Sequence, residues 1–147
     1  MNPIYKRREN DLKKIQELEK KYSFLKIVEV KGEPITEIQI KLDLTLPISE
    51  KEKQKEFILK ILLSANYPMS SPHFSISPPV FHPHVYESGN ICRGGKWLVS
   101  TPLDQEVERI IKLLLFYPEL INTKSVANEK AITWFHKKKA KLPLMRI

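Results

Sequence analysis

The stretch Glu37-Ile38-Gln39-Ile40-Lys41-Leu42-Asp43-Leu44-Thr45-Leu46 decides the fold. Five aliphatic side chains alternate with five polar ones across it. A helix with about 3.6 residues per turn scatters such positions around its axis, whereas an extended strand lines them up on one face. The segment therefore reads as a half-buried strand. Phe57, Leu59, Ile61 and Leu63 repeat the pattern, with Pro47 and the charged run Ser49–Lys55 as the turn between. Upstream, Phe24–Val30 is expected to form a strand that ends at Lys31-Gly32-Glu33-Pro34, a glycine-proline turn signal. Downstream, His73–Ser77 reads as a short fourth strand.

Helices flank these strands. Leu12, Ile15, Leu18 and Tyr22 step by three, three and four, which predicts a helix over residues 3–21 with Lys, Arg and Glu on its other faces. Leu103, Val107, Ile110, Ile111 and Leu114 predict a second helix, with Pro102 in its first turn and a stop before Pro118. Val126, Ala131, Trp134 and Phe135 predict a third over Ser125–Lys138. Between the last strand and the second helix, Pro78, Pro79 and Pro83 exclude regular structure, so residues 78–101 should form a long loop ordered by packing. Loops of that length inside compact domains usually serve function. The plan is α+β: an N-terminal helix, a four-stranded antiparallel meander, a long loop and two C-terminal helices, as one domain over residues 1–147.

The 147 residues carry 25 Lys+Arg against 17 Asp+Glu, a net charge of +8. Residues 1–26 hold +4, residues 124–147 hold +6, and the middle holds −2. Charge confined to the ends does not describe a groove of phosphate contacts, so a nucleic-acid partner is not expected, and the tail HKKKAKLPLMRI reads as a solvated helix end. The longest apolar run is Leu113–Tyr117, far below the ~18 residues of a membrane span. The opening MNPIYKRREN contains no hydrophobic segment. These features lead us to expect a cytoplasmic protein.

The sole cysteine, Cys92, lies in the long loop as Gly89-Asn90-Ile91-Cys92-Arg93-Gly94-Gly95-Lys96-Trp97. Arg93 and Lys96 would favour a thiolate, and two glycines let backbone approach a bulky reactant. A thiol buried among apolar neighbours is the plain alternative. His84, eight residues upstream in Phe81-His82-Pro83-His84-Val85, raises a thiol-hydrolase pair, although no papain-type or caspase-type flank is present. His73, His82, His84 and Cys92 could also be read as zinc ligands, but their spacing matches no recognised zinc pattern.

Together these residues resemble the ubiquitin-conjugating enzymes. That family shows a Tyr-Pro-x-x-x-Pro turn, a His-Pro-Asn tripeptide, a catalytic cysteine eight residues beyond the Asn, then a tryptophan, a helix and Leu-Leu-x-x-Pro. This chain has Tyr67-Pro68 with Pro72, His82-Pro83-His84, Cys92, Trp97 and Leu114-Leu115-Phe116-Tyr117-Pro118. The resemblance implies that Cys92 accepts a ubiquitin-like modifier from an activating enzyme as a thioester, and that a target amine, usually a lysine, then attacks it. No cofactor or metal is implied. It also implies that His82 supports the loop.

Two departures stand out. His84 replaces the family's Asn, assigned to the oxyanion or to loop shape, and a histidine can still donate there while titrating near neutral pH. The polar residue that lines the approach to the cysteine falls nearest to Asn122, which can support the loop or cap a helix but cannot act as a base. With the short Cys92–Trp97 interval, these departures resemble a divergent member, of the prokaryotic kind that serves a ubiquitin-like modifier. By the same resemblance, Lys6, Arg7, Lys13 and Lys14 face the activating enzyme, the loops at Met69 and Leu98–Thr101 meet a ligase, and Arg93–Lys96 contacts the modifier's tail. The competing readings are an inactive adaptor of the same fold and, on the basic tail alone, a nucleic-acid-binding or membrane-surface protein.

Overall fold

The computed structural model describes residues 3–147. The chain runs α1 (Pro3–Lys21), β1 (Leu25–Lys31), β2 (Glu37–Leu42), β3 (Leu46–Pro47), β4 (Lys53–Gln54), β5 (Phe57–Leu62), β6 (His73–Ser77), α2 (Leu103–Leu114) and α3 (Glu129–Lys138), with 3-10 turns at Pro118–Leu120 and Lys139–Lys141. The sheet order is β1-β2-β5-β6 and every pairing is antiparallel, the meander expected. Register follows the alternation: Ile38 pairs with Ile61 and Ile40 with Leu59. These four side chains are fully buried in one cluster with Phe74 and Ile76 of β6 and Val107, Ile110, Ile111 and Leu114 of α2. A one-residue slip of β2 against β5 would turn the buried side chains of β2 to water, at about 1.5–3 kcal/mol for each.

Several boundaries differ from those the sequence predicts, β1 running Leu25–Lys31 instead of Phe24–Val30 and β5 ending one residue early, at Leu62. The alternation of burial continues to Leu44 and Leu46, but the ladder stops at Leu42. Its partner strand β5 begins opposite, at Phe57, and the Asp43 N–H turns instead to the Phe24 carbonyl (2.8 Å). β3 then folds back on β4 as a separate hairpin. Pro102 sits at the N-cap of α2, one position before the first turn. α3 starts at Glu129, not at Ser125, because the Asn128 side chain accepts from the Ala131 N–H as an N-cap. The N–H groups of Ala127 and Asn128 are drawn to the Pro83 carbonyl of the long loop (2.8 and 3.2 Å).

α1 buries more than its aliphatic stripe. Arg8 and Asp11 lie on the same face as Leu12 and Ile15 and are only 2% exposed. The Arg8 guanidinium donates to the carbonyls of Ile35, Ser64 and Tyr67. The Asp11 carboxylate accepts from Arg7 Nε (2.9 Å), the Tyr67 hydroxyl (2.5 Å) and the Leu103 N–H (3.2 Å). It thus caps α2, whose own N-cap is a proline with no side chain to offer, and places a negative charge at that helix's positive end. Burial and the adjoining carboxylate push the Tyr67 phenol well above its ordinary pKa.

Asp11→Ala would remove at one stroke the acceptor of Arg7 Nε, of the Tyr67 hydroxyl proton and of the Leu103 N–H at the α2 terminus. The expected cost is about 3–4 kcal/mol in urea unfolding, with Asp11→Asn costing less because Oδ1 still accepts from Leu103. A loss below about 1 kcal/mol for Asp11→Ala would mean that water replaces the carboxylate.

Candidate active site

The eight-residue spacing between His84 and Cys92 has a geometric cause. The Gly89 N–H donates to the Tyr86 carbonyl and the Tyr86 N–H to the Asn90 carbonyl (both 2.9 Å), closing a tight turn. Val85 then bridges Ile91, and the Cys92 N–H donates to the His84 carbonyl (2.8 Å). The long loop therefore contains a small hairpin in which residues 84 and 92 face each other. It docks on β6 through Ile76 N–H to the Gly89 carbonyl (2.9 Å) and Ile91 N–H to the Phe74 carbonyl (3.0 Å). Gly89 has φ +94°, and a Cβ there would stand 2.4 Å from the Ile76 carbonyl oxygen.

His82 anchors the hairpin to α2. Its ring is fully buried, with Nε2 2.6 Å from the Leu113 carbonyl oxygen and Nδ1 accepting from the His84 N–H at 2.9 Å. Only the tautomer with the proton on Nε2 satisfies both, so the neutral ring caps a carbonyl in the last turn of α2. That helix ends in a Schellman arrangement, with Phe116 N–H on the Leu113 carbonyl and Tyr117 N–H on the Lys112 carbonyl. Phe116 takes the left-handed conformation (φ +63°) that glycine usually fills. Its strain, about 1–3 kcal/mol, is offset by packing its buried ring on His82 (centroids 4.4 Å) and Trp134 (5.4 Å).

The His84 ring is buried as well, and its Nε2 accepts from the Asn122 N–H (2.9 Å). The neutral ring therefore carries its proton on Nδ1, a buried donor with no partner among the described residues. Burial first, and the positive charge of Arg109 second, hold this imidazole below its ordinary pKa. It is thus further from neutral-pH titration than the residue type suggests.

His84 and Cys92 line a cleft of about 290 Å³ with Arg93, Gly94, Arg109 and Glu119. Cys92 is partly exposed, and among the described residues no hydrogen bond joins its sulfur to the His84 ring. The thiol-hydrolase pair therefore lacks its proton contact. The zinc reading loses His82, whose two nitrogens are both occupied, and no group of three or more His, Cys, Asp or Glu among the described residues is placed to hold a metal.

Arg93 does not face the thiol alone. Its Nε and Nη2 lie 3.0 and 2.6 Å from Oε2 of Glu106, a carboxylate buried on α2, and its Nη1 donates to the Gly95 carbonyl. Arg109 approaches the same carboxylate and donates from Nη2 to the Arg93 carbonyl (2.7 Å) and the Gly94 carbonyl (3.3 Å). Gly94 and Gly95 both have positive φ, and no atom lies within 4 Å of where a Cβ would stand. Those glycines serve the turn and leave open space above it.

Sequence reasoning overlooked Glu106, Arg109 and Glu119. Glu106 was legible: it falls three residues after Leu103 and four before Ile110, on the apolar face. Asn122 is exposed; its Oδ1 accepts from the Lys124 N–H (2.9 Å), and it reaches the site through its backbone only. A carboxylate that lines this cleft is Glu119, in the 3-10 turn Pro118–Leu120, with Arg146 Nη1 3.5 Å from its Oε1. Arg7 is also corrected as a free rim charge: it donates to Asp11, Tyr67 and the carbonyls of Val99 and Thr101. Lys6, Lys13 and Lys14 are exposed on α1, as are Met69 (75%) and Leu98 (54%) on their loops.

Burial pushes His82 down to about 3. The unfolded chain binds a proton below pH ~6.5 that the folded ring refuses, so stability is complete above that pH and falls as pH drops towards 3. Between pH 6 and 5 this ring should lower stability by roughly 1 kcal/mol in urea unfolding. A His82 ring signal that titrates above pH 6 in the folded protein would contradict the assignment.

The chain has relatives among known proteins. Its fold resembles a Trypanosoma cruzi protein named as a ubiquitin conjugating enzyme, with TM-score 0.68 and 19% identity over 92% of each chain. At that identity the likeness speaks for the fold. No helix among the described residues is long and apolar enough to cross a membrane. The ubiquitin-conjugating enzyme family model matches residues 7–143, nearly the whole length, and so the chain belongs to the ubiquitin-conjugating enzyme family.

Proposed function

We propose that Cys92 carries a ubiquitin-like modifier as a thioester and passes it to a lysine amine of a target. The supporting observation is the placement of a partly exposed thiol on a cleft beside a buried imidazole whose Nδ1–H has no partner. In the first step the Cys92 sulfur attacks the carbonyl carbon of the modifier's thioester on the activating enzyme. A new C–S bond forms, and the activating enzyme's thiolate leaves. In the second, the amine nitrogen attacks the same carbonyl carbon, the oxygen takes up negative charge, and the C–S bond breaks to release the Cys92 thiolate while the amine loses its proton.

His84 supplies the oxyanion donor through Nδ1–H. A buried donor left unpaired costs about 1–3 kcal/mol, which an oxyanion would recover in the transition state. Asn122 and His82 hold that ring in place. The Glu119 carboxylate stands where an incoming ammonium would pass. Lys6, Lys13 and Lys14 form the rim that meets the activating enzyme, setting association rate more than affinity. Met69 and Leu98 offer apolar contacts to a ligase. The reaction takes place in one catalytic domain, in the cytoplasm, and needs no cofactor.

The adaptor reading is separated from this one by intact mass under non-reducing conditions, after incubation with ATP, an activating enzyme and its modifier. The expected adduct is one modifier heavier, is released by thiol reductant and is absent in Cys92→Ala. Its absence with every modifier tried would favour the adaptor. His84→Ala should change thioester formation less than about threefold and slow discharge to free lysine by about 10²-fold, the size of one lost oxyanion donor. Equal loss in both steps would make His84 structural only.

A further inference from the structure

We propose that Arg109 is a positioning residue for the transfer step: seated on the buried Glu106 carboxylate, it holds the two peptide carbonyls that follow Cys92 and so sets the thiol against the His84 ring. This rests on the reading of Cys92 as the thioester site. Among the described residues, Arg109 Nη2 is the side-chain donor to both the Arg93 and Gly94 carbonyls. With glycine at 94 and 95, this segment has little conformational preference of its own, so order must come from outside it. The guanidinium is itself constrained, since its Nε lies against Glu106 Oε1 and Arg93 takes Oε2 of the same carboxylate. One carboxylate faces two guanidiniums, and the Glu119 carboxylate across the cleft is paired with Arg146 (3.5 Å), so an excess positive charge remains on the Arg109 side.

That charge faces the His84 ring, along with the other groups around it. From the loop come neutral His82 and the Cys92 thiol; from the turn after α2 come the Asn122 N–H and, across the cleft, Glu119. If the ring took a second proton, Nε2–H would meet the Asn122 N–H head on and the bond that seats the ring would be lost. The positive charge of Arg109 opposes that proton. Geometry and charge thus act together to hold the ring seated, with Nδ1–H as its donor.

The test separates the two effects in the full-length protein by NMR. In Arg109→Met, amide order at residues 93–95 should fall and the midpoint of the His84 ring titration should move up. Arg109→Lys keeps the charge but loses the two-armed grip, so loop order should fall while the midpoint stays. Unchanged loop order in Arg109→Lys, or in Arg109→Met, overturns the proposal, and if Arg109→Met does not fold, the lysine variant alone decides.

A second arm uses the modifier that forms the reducible Cys92 adduct. The wild-type to Arg109→Met ratio of discharge to free lysine should be about tenfold at pH 8 and should widen towards pH 6, with thioester formation changed less than about threefold. The ratio cancels protonation of the lysine itself. Equal loss in both steps with a flat ratio would make Arg109 merely structural. If no thioester forms, the parent reading fails, whereas the NMR arm still reports whether Arg109 orders the loop.

Discussion

Burying the His82 ring with both nitrogens occupied constrains the position of everything around Cys92. Its Nε2–H closes a carbonyl at the end of α2, and its Nδ1 takes the N–H of His84, so a helix terminus and a proline-broken loop become one hydrogen-bonded unit. The relay continues from the His84 carbonyl to the Cys92 N–H, and from the His84 ring to the Asn122 N–H. The bonds link backbone groups of α2, the loop and the turn after α2 in series, so the loss of one loosens its neighbours. The left-handed Phe116 belongs to the same unit, because its ring packs on His82 at the turn where α2 ends.

A second knot, remote from the thiol, sets where α2 begins. Asp11 reaches from α1 to the Leu103 N–H and to the hydroxyl of Tyr67, while Arg7 spans from Asp11 to the carbonyls of Val99 and Thr101. Trp97 adds a bond from its Nε1 to the Pro68 carbonyl (2.7 Å). The loop after Cys92 is therefore tied at its far end to α1 and to the Tyr-Pro turn. Held at both ends, α2 offers a rigid base for Glu106 and Arg109, which grip the loop midway. A loop with two consecutive glycines gains its order from that frame.

Much of this was legible in the chain. Alternation over residues 37–46 announced the strand face because a pleated strand repeats every two residues, whereas the hairpin between His84 and Cys92 was hidden in a segment that its prolines mark as irregular loop. Boundaries were less legible, since they follow from partners. β2 stops where β5 stops pairing, and α3 waits for Asn128 because Pro83 draws the preceding N–H groups away. Arg7 read as a surface charge because a helical face looks solvated until another element covers it.

Local periodicity and spacing were enough for the three helices, the four strands of the main sheet, the buried face of each and the residues from Tyr67 to Pro118 that mark the family, but not for the β3–β4 hairpin, whose second strand lies in what reads as a turn. The tautomer of each histidine, the arrival of the Glu119 carboxylate at the cleft and the place of Glu106 and Arg109 behind the thiol come from tertiary contacts alone. Those assignments depend on which groups from distant segments meet in a space without water. Hydrogen-bond partners and charge states are settled there by the three-dimensional neighbourhood, which no linear spacing encodes.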